Sequence, residues 1–519
     1  MSYSVVWFKR DLRIADHAAL YAAVQHRSVL CLYVIEPSVW AQPDAAHQHY
    51  QFLLESLRDL DANLRRLGGR LHVIDGEFVD VLARLFIANP FKAIFAHEET
   101  GNDVTYQRDL DVGRWCKSQG VEFHEFRQFG VVRKLKSRDN WKSHWDQHVR
   151  APMLPTLSAQ QVQFVPLPWP ATLLPNPAKL GLALPIPKQR QLGGRRLGLE
   201  VLQDFLNDRS AQYRGGISSP LSAPTACSRL SPYLAFGCIS LREVVQSTYH
   251  AIAELPAGNW QKKGLVAFVS RLYWHCHFIQ KLESEPDLEV KNVHRGYDGL
   301  RENDWNPAHF EALTNARTGW PLVDACVVML RETGWLNFRM RAMLVSVAAY
   351  PLWLHWRPVG QWLARQFLDY EPGIHWSQMQ MQSGTTGINT TRVYNPIKQA
   401  QDHDPHGHFV KRWLPYMRRV PDTWLFEPWR MPPDLQERLN LTVGAGAEFD
   451  IPAPVVDLQT ATREAKAKLH GRRAQPEVKA GKAAIVEKHA SRSHAGAQKP
   501  IIAKRKPSKA TNPQIALDF

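Results

Sequence analysis

The chain has 519 residues, 44% of them hydrophobic, which is more than one usual domain, so we expect two folded domains with sizeable cores. The formal net charge is +15, but residues 461–519 hold 14 Lys and Arg against 4 Asp and Glu, whereas residues 1–460 hold 50 against 45. The folded part is therefore only mildly basic, and composition alone does not indicate nucleic-acid binding, because a basic block is most often a solvated tail.

Cysteine usage and hydropathy indicate the cellular compartment in which the protein is expected. Six cysteines are scattered without a C-x-x-C pair, and the chain starts without the pattern of a signal peptide. Both features favour a reducing cytoplasmic compartment. The longest apolar run, residues 342–356, is short and is interrupted by Pro351 and His355, so we expect no membrane span.

Short apolar runs alternate with helical stretches at the start of the chain. Strands are predicted at 4–8, 28–35, 70–74, 92–96 and 121–126, and helices near 17–26, 47–67, 77–88 and 103–119. This alternation predicts βαβ units and a parallel sheet. We therefore predict a Rossmann-like α/β domain over residues 1–130.

The next segment, residues 131–192, is predicted to connect two domains. From about Arg150 it is rich in proline, as in APMLPTL, VPLPWPATLLPNP and LPIPKQR. Such a segment is extended and wraps surfaces rather than forming a core element. Residues 193–451 have a helical pattern and predict a larger all-α domain.

The most specific piece of the helical region is SRLSPYLAFG, residues 228–237. Ser and Arg before an apolar helical run can offer hydroxyls and free amide groups to an anion. The alternative explanation is an ordinary helix cap.

Residues 369–415 carry a mixture that no fold needs for stability alone. The segment contains the carboxylates Asp369 and Glu371, then His375 and Trp376, alternating glutamines and methionines, and a Ser/Gly/Thr-rich turn. Glycines and hydroxyls let a ligand approach the backbone, carboxylates and histidine can bond polar ring edges, and methionine and tryptophan supply apolar walls. This mixture predicts a pocket for a large, flat, partly polar ligand.

Two histidine-containing stretches do not predict a metal site. His275 and His277 flank Cys276 on a predicted helix, where residues two apart point away from each other. The stretch DHDPHGH at 402–408 has no second ligand cluster to pair with. We therefore expect no metal.

These segments together resemble the DNA photolyase and cryptochrome family. The opening WFKRDLR matches the start of that family, and residues 316–344 match its Thr-Gly-x-Pro and Gly-Trp-x-x-x-x-x-Arg patterns. Matching motifs follow one order over roughly residues 3–430, so a chance resemblance is improbable. In the ligand-pocket segment the matching residues are Asp369, Glu371, His375, Arg392, Asn395, Pro396, Asp404, Pro405, Gly407, Val410, Lys411, Trp413, Leu414 and Pro415.

The resemblance implies that the helical domain binds FAD. Cys227 replaces a family threonine, which removes one hydroxyl contact, and Arg341 is expected to pair with Asp369 beside the flavin. His375 stands where other members usually have Asn, and it is expected to control which reduced flavin state is stable. The residues implied to contact the cofactor are Tyr213, Cys227, Ser228, Arg229, Leu230, Ser231, Arg341, Asp369, Glu371 and His375.

A second chromophore of folate or deazaflavin type is a further implication of the resemblance. It would act as a light-harvesting antenna in the crevice at the strand ends of the α/β domain. Glu98, Glu99 and Arg108 lie near the expected place. Ordinary solvated loop charges are the alternative explanation of these three residues.

The resemblance also implies a pocket for damaged bases that are flipped out of the duplex. Trp274 matches a tryptophan against which such bases pack, whereas Arg271 replaces a substrate-binding glutamate of many pyrimidine-dimer photolyases. Phe338, Ala342 and Met381 also depart from residues that often touch the lesion. The expected substrate-binding residues are Arg271, Trp274, Phe338, Arg339 and Met381.

The electron relay of many family members uses three tryptophans, of which one is present. Trp356 occupies the middle place, while Met379 and Leu313 stand at the inner and outer places. Trp376 and Trp320 are candidates for a substitute route, although most tryptophans are core packing. The expected catalytic residues are Trp274, His375 and Trp356.

The end of the chain differs in composition from the rest. Residues 452–519 are predicted to be a disordered basic tail, because they cannot bury enough apolar surface to become ordered. The last residues, Gln514 to Phe519, resemble the Gln-x-x-Leu-x-Phe peptides that dock bacterial repair proteins on the sliding clamp. Chance is the alternative, since three fixed positions are a weak pattern.

The function that the resemblance implies is light-driven DNA repair. Reduced FAD would absorb blue or near-UV light and donate an electron to a pyrimidine lesion, either a dimer or a (6-4) product. We expect a monomeric photo-lyase with lesion-bearing DNA as its partner. The alternative is a cryptochrome-like blue-light photoreceptor without repair activity.

Overall fold

The structure is a computed structural model that describes residues 3–26, 28–170, 174–182, 185–388, 392–446 and 448–490. It begins with an α/β domain. The strands of this domain are β1 (Tyr3–Phe8), β2 (Ser28–Ile35), β3 (Leu71–Asp75), β4 (Ala93–His97) and β5 (Glu122–Phe126). Its helices are α1 (Ala18–His26), α2 (Pro37–Trp40), α3 (His47–Arg66), α4 (Phe78–Ala88) and α5 (Asp103–Gln119).

The five strands form one parallel sheet in the order β3-β2-β1-β4-β5. The central strand β1 is buried along its whole length, because helices cover both faces of the sheet. That burial explains why its sequence is a continuous apolar run instead of an alternating one. The predicted α/β fold class and the predicted strands are confirmed, with strand ends that agree to within one residue.

In its described residues the connector contains one α-helix, α6 (Trp141–Arg150), which the proline-rich composition did not indicate, and two short 3-10 helices, Ala159–Gln161 and Pro177–Leu180. Its Trp141 and Trp145 are buried in the main apolar core. Further along, the backbone of Val29 in β2 bonds Gln163 at 2.8 Å and Val165 at 2.9 Å. The connector therefore crosses the start of β2, where β3 does not pair with it.

The second domain is helical, as predicted. None of the described helices is both long enough and apolar enough to cross a membrane. Between α7 and α8 the chain forms a π-helix, Phe205–Arg209. The α-helices are α7 (Arg195–Asp204), α8 (Ser210–Gly216), α9 (Ala223–Ala226), α10 (Ser231–Ala235), α11 (Leu241–Glu254), α12 (Trp260–Ser284), α13 (Pro307–Thr314), α14 (Pro321–Thr333), α15 (Phe338–Ala349), α16 (Trp356–Gln366), α17 (Pro372–Ser383), α18 (Pro396–His403), α19 (His408–Trp413) and α20 (Pro433–Arg438).

The long helix α12 packs between α8 and α17, and two glycines allow both contacts. A Cβ atom on Gly264 would lie 2.4 Å from the Ser210 carbonyl oxygen, and one on Gly373 would lie 2.6 Å from the Ile279 Cα atom. Both distances are far below van der Waals contact, so larger residues would push the helices apart. These crossings bring α8, α12 and α17 around one site.

The predicted disordered tail is wrong for residues 452–490. After the short strands β6 (Val443–Gly444) and β7 (Ile451–Pro452), the chain forms α21 (Leu458–Ala474) and α22 (Pro476–His489). Ala465 and Leu469, one turn apart on α21, are buried in a cluster with Tyr297, Ala349 and Tyr350. Few apolar residues suffice because the aromatic partners come from the helical domain. The clamp-like residues 514–519 lie outside the described part of the chain.

Candidate cofactor and substrate site

The centre of the candidate site is a buried ion pair between α15 and the turn before α17. The two terminal nitrogens of Arg341 donate to the Asp369 Oδ1 and Oδ2 atoms at 3.0 and 2.9 Å. Burial opposes ionisation of Asp369, but the Arg341 guanidinium outweighs it and holds the pKa of this carboxyl below its ordinary value. The predicted pairing of Arg341 with Asp369 is therefore present in the structure.

The turn before α10 brings a second arginine to this pair. Arg229 has a positive φ of 61°, and its guanidinium lies 4.0 Å from the centre of the Trp335 ring. It also donates to the Gln191 Oε1 atom at 3.0 and 3.1 Å. Burial lowers the pKa of Arg229 to about 10, although the nearby Asp369 acts in the opposite direction. Sequence reasoning missed Gln191, which no local pattern singles out, and it matched Trp335 only as part of the Gly-Trp-x-x-x-x-x-Arg pattern, without a role at the site.

Positive charge exceeds negative charge around this turn. Burial raises the pKa of the Cys227 thiol to about 11, while four nearby guanidiniums act to lower it. Among the described residues no carboxylate forms an ion pair with Arg229 or Arg271. The four guanidiniums near the Cys227 thiol belong to Arg229, Arg341, Arg209 and Arg271.

The donor set around this turn fits the group that the family resemblance implies. The Asn337 side-chain nitrogen donates to the carbonyl oxygens of Ile217 and Ser218 at 3.0 Å each, but its buried Oδ1 has no partner within the described residues. Surplus guanidiniums and an unused buried polar atom are what an anionic, hydrogen-bonding cofactor requires. The residues therefore fit the pyrophosphate and polar ring edge of FAD.

Other predicted cofactor residues lie around the same turn. Ser231 begins α10 and hydrogen-bonds Asp369, and Ser228 accepts a bond from Arg209 at 3.3 Å through its carbonyl oxygen. Tyr213 is buried on α8, and burial raises the pKa of its hydroxyl above the ordinary value. The Leu230 side chain lies in the apolar core, so only its backbone is available to a ligand.

Glu371 occupies the other side of the site, against the α/β domain. Arg10 lies 3.2 Å from the Glu371 carboxylate and also donates to the carbonyl oxygens of Tyr370 and Ala235. Burial raises the pKa of Glu371 to about 7, although Arg10 acts to lower it. Sequence reasoning missed Arg10, because it stands at the variable position of the WFKRDLR motif.

His375 projects from α17 and is uncharged at neutral pH. Its Nε2 atom lies 2.9 Å from the carbonyl oxygen of Gly360, which can only accept, so Nε2 carries the proton and Nδ1 is left as an acceptor. Burial lowers the pKa of His375 to about 4. The ring contacts Tyr370 and Trp376 with centroid distances of 5.2 and 4.9 Å.

The predicted substrate residues are only partly brought together. Phe338 is 47% exposed, and the Arg271 guanidinium lies 5.7 Å from its ring centre. Arg339, next on α15, donates to the Ser218 hydroxyl at 3.4 Å. Trp274 lies about one turn beyond Arg271 on α12 and contacts the rings of His277 and Phe278. The Met381 side chain is half-buried on α17.

A different tryptophan stands beside the middle relay position. The rings of Trp356 and Trp376 are 5.9 Å apart at 72°, and the Trp356 indole donates to Asn292 at 2.8 Å. Leu313 and Met379 are buried in the same apolar cluster as these tryptophans.

A cavity of about 140 Å³ opens at the carboxyl ends of the strands. Its walls include the rings of Trp7, Trp40 and Tyr370, and Glu99 and Arg108 also line it. Arg108 makes ion pairs with Glu36, Glu99 and Asp109 at 2.7 to 2.9 Å. Glu98 instead lines a small adjoining cavity of about 20 Å³, which reaches Glu371.

One cluster of ligand-type side chains lies in the α/β domain. The Asp11 Oδ2 atom is 2.9 Å from His17 Nε2 and 2.7 Å from His97 Nδ1, and all three side chains are buried. Burial lowers the pKa of both histidines, so each can donate one N–H to the carboxylate.

Comparisons with known proteins agree with this geometry. The family model described as DNA photolyase matches residues 4–136, and that of the FAD binding domain of DNA photolyase matches residues 268–471. A cryptochrome DASH of Gloeobacter violaceus is 29% identical over 484 residues, which cover 88% of this chain and 93% of that protein. The deoxyribodipyrimidine photo-lyase of Alkalihalophilus pseudofirmus is 25% identical over 88% of this chain and 95% of that protein.

A solved structure extends the likeness to the whole fold. The archaeal photolyase from Sulfolobus tokodaii with two FAD molecules has a TM-score of 0.71 and 26% identity, and the match covers 90% of this chain and 99% of that chain. The predicted cofactor, FAD, is confirmed by the match to the FAD-binding domain.

Proposed function

Because this chain belongs to the DNA photolyase and cryptochrome family, we propose that it is a photolyase that uses FAD and blue or near-UV light to repair pyrimidine lesions in DNA. The observation that carries this proposal is the half-exposed Phe338 with the Arg271 guanidinium over its ring, beside the buried arginines. An aromatic face with a cation next to it offers a flipped-out base a surface on which to stack. A protein that only senses light does not need such a surface.

Different residues of the site would bind the cofactor and supply the charge beside its flavin ring. When bound, reduced FAD supplies the electron that light excitation makes available. Arg341 would hold a positive charge beside the flavin, and Asp369 keeps that guanidinium in place through two hydrogen bonds. Tyr213 and the turn from Cys227 to Ser231 would hold the dinucleotide, with Arg229 as the counter-charge for its phosphates.

Arg271 sets what kind of lesion the pocket can take. A guanidinium only donates hydrogen bonds, whereas the glutamate that many pyrimidine-dimer photolyases have at this place accepts them. Arg271 would therefore bind carbonyl oxygens of the damaged bases rather than their N–H groups. Trp274, Arg339 and Met381 would complete the pocket. Because Arg271 only donates hydrogen bonds, the pocket would select lesions whose hydrogen-bond acceptors face α12.

The alternative of a blue-light photoreceptor rests on one specific observation. Met381 places a half-buried thioether, rather than a second aromatic ring, where the base would be enclosed. A pocket that lacks this ring loses part of the stacking energy, which is about 1–3 kcal/mol per base. A photoreceptor would tolerate that loss, because it does not have to extrude a base.

The cavity at the strand ends is proposed to hold the second chromophore. Its aromatic walls and its ion-pair network around Arg108 suit a flat ring system that carries polar groups. The Sulfolobus tokodaii protein, which has two FAD molecules, is described as implying a light-harvesting cofactor. Heat-released chromophores would show one compound besides FAD, and Trp40→Ala should remove that compound while FAD stays bound.

We also propose that the last six residues dock on the sliding clamp. Leu517 and Phe519 would fill an apolar pocket, and Gln514 would bond at its rim. A titration of a peptide of residues 508–519 against the clamp tests this, with Gln514→Ala and Phe519→Ala as controls. Absence of binding at tens of micromolar, or binding indifferent to both changes, would end the proposal.

The repair proposal is tested by illuminating the purified protein with oligonucleotides that contain a cyclobutane dimer or a (6-4) product. We expect light-dependent conversion of one of the two, and loss of that conversion in Phe338→Ala with FAD still bound. Lys117→Ala, an exposed change on α5, is the matched control. Photoreduction of FAD without conversion of either lesion would favour the photoreceptor.

A further inference from the structure

One face of α12 connects the proposed lesion pocket to the C-terminal helices. Trp274, Phe278 and Lys281 stand at i, i+4 and i+7 and share that face of α12, and Glu285, which caps the end of the helix, follows at i+11, so the four residues extend over about 16 Å. The rings of Trp274 and Phe278 are 5.8 Å apart, and the Lys281 Nζ atom lies 5.2 Å from the Phe278 ring centre. We refer to these four residues as the α12 row.

The last turn of α22 holds the far end of the α12 row. Lys488 Nζ and His489 Nε2 lie 2.8 and 2.7 Å from the same carboxylate oxygen of Glu285. The match to the FAD-binding family model ends at residue 471, before α22 begins. One turn earlier on α22, Ile485 packs against Leu282, Leu288 and Val293.

The loop before α6 borders the α12 row on its other side. Gln280 exchanges two hydrogen bonds with the backbone of Val132, at 2.7 and 3.0 Å. Arg138 donates to His277 Nδ1 at 2.7 Å. The loop therefore lies directly against α12, and its Lys134 and Lys136 are exposed.

Two lysines stand on this surface beside a single carboxylate, Glu285. Burial and the neighbouring Arg138 lower the pKa of Lys281 to about 8. Lys488 is exposed, and the Glu285 carboxylate that it contacts also contacts His489, so one carboxylate is shared by two basic side chains. An anionic partner would relieve the repulsion between these groups.

We propose that Lys281 of the α12 row and Lys488 bind the phosphate backbone of the duplex arm on one side of the lesion pocket, with Glu285 holding Lys488 in place. This inference rests on the proposed function, because it takes Trp274 as part of that pocket. At 3.4 Å per phosphate along a strand, the row spans about five phosphates. The C-terminal helices thus extend the DNA contact beyond the part of the chain that the family model covers.

The test is fluorescence anisotropy in the dark with undamaged, end-labelled duplexes of about 30 and about 8 base pairs, titrated at several salt concentrations. The full-length variant Lys281→Gln/Lys488→Gln is compared with Lys92→Gln/Lys117→Gln. The control pair loses the same charge from exposed positions at the amino-terminal edge of the sheet, away from the cavity. Equal FAD content shows that each variant is folded.

The row variant should bind the long duplex about fivefold to tenfold more weakly, with a salt slope less steep by about two, since two phosphate contacts are lost. Binding of the short duplex and of the control variant should change little. Lys281→Arg should retain affinity for the long duplex, because it keeps the charge. Equal losses in both double variants, or equal losses on both duplexes, would overturn the inference.

This measurement requires no repair, so the two proposals fail in different ways. If the row variant binds the long duplex more weakly but the wild type converts neither lesion under light, the proposed function is contradicted and the backbone contact is supported. A protein that repairs a lesion but shows no row effect contradicts only the contact.

Discussion

Trp376 lies one helical turn before Met379 on α17, and both side chains face the same surface at Gly360. A Cβ atom placed on Gly360 would meet the Trp376 ring at 2.5 Å and the Met379 Cγ atom at 3.3 Å. Trp376 therefore brings an indole next to the inner relay position, where the sequence has a thioether. Because its ring also contacts that of Trp356, which occupies the middle place, we expect Trp376 to stand in for the missing inner member of the usual relay.

We expect Trp376→Phe and Trp356→Phe each to slow the photoreduction of bound FAD by an external thiol. Electron hopping needs closely spaced aromatic rings of low oxidation potential, and phenylalanine is a poor hole carrier. Transient absorption of the tryptophan radical and steady-state photoreduction rates are the measurements. Trp320→Phe, buried in the same apolar cluster, is the control. An unchanged rate in Trp356→Phe would show that Trp356 only packs the core.

Arg341→Gln should weaken both the fold and FAD binding. Removing one member of a buried pair leaves the Asp369 charge uncompensated, which costs about 3–5 kcal/mol of folding free energy. The double variant Arg341→Gln/Asp369→Asn removes both charges and should recover part of the stability but not FAD affinity. Denaturant unfolding and FAD titration measure the two effects. Full recovery of FAD affinity in the double variant would contradict a role of the Arg341 charge in cofactor binding.

His375→Asn should alter the absorption spectra that develop during photoreduction. His375 is neutral, and Nδ1 is its only free acceptor, whereas asparagine can both donate and accept. With a pKa of about 4, His375 does not titrate between pH 5.5 and 9, so the wild-type spectra should be independent of its protonation over that range. Identical spectra for the variant and the wild type would mean that His375 merely fills the pocket.

Glu371→Gln should stabilise the protein more at high pH than at low pH. Burial raises the pKa of Glu371 from 4.5 to about 7, so the folded state holds this proton more tightly than the unfolded state. The stability that protonation contributes is complete below pH 4.5 and is lost as pH rises to about 7, with a total of about 3 kcal/mol at most.

The difference in Tm between Glu371→Gln and the wild type, measured from pH 4.5 to 8.5, isolates this group because the other titrations are shared. The difference should grow up to about pH 7 and then level off. A difference that does not vary with pH would show that Glu371 stays ionised throughout.

Leu469→Ala should destabilise the protein by about 2–4 kcal/mol, because it leaves a cavity against the helical domain. Lys466→Ala, an exposed change on the same helix, should have an effect within about 0.5 kcal/mol. Urea unfolding of both variants checks this. Equal effects would mean that α21 does not contribute to the stability of the domain.

Elements whose signal is local were predictable from the sequence. The strands of the α/β domain are continuous apolar runs because both faces of the sheet are covered, and the intervening helices have the expected period. Asp369 and Arg341 were identified from motifs that match the family, and the structure pairs them.

Contacts between distant segments were decided only by the tertiary structure. Arg10 bonds Tyr370, which lies 360 positions away, and Trp376 meets Trp356 across two helices; neither contact leaves a trace in the local pattern. The same holds for α21. Its sequence is typical of a solvated helix, and its two buried residues, Ala465 and Leu469, are buried only because Tyr297 and Tyr350 cover them. Secondary structure follows from the periodicity of neighbouring residues, whereas burial, ion pairing and ring contact depend on which surfaces the folded chain brings together.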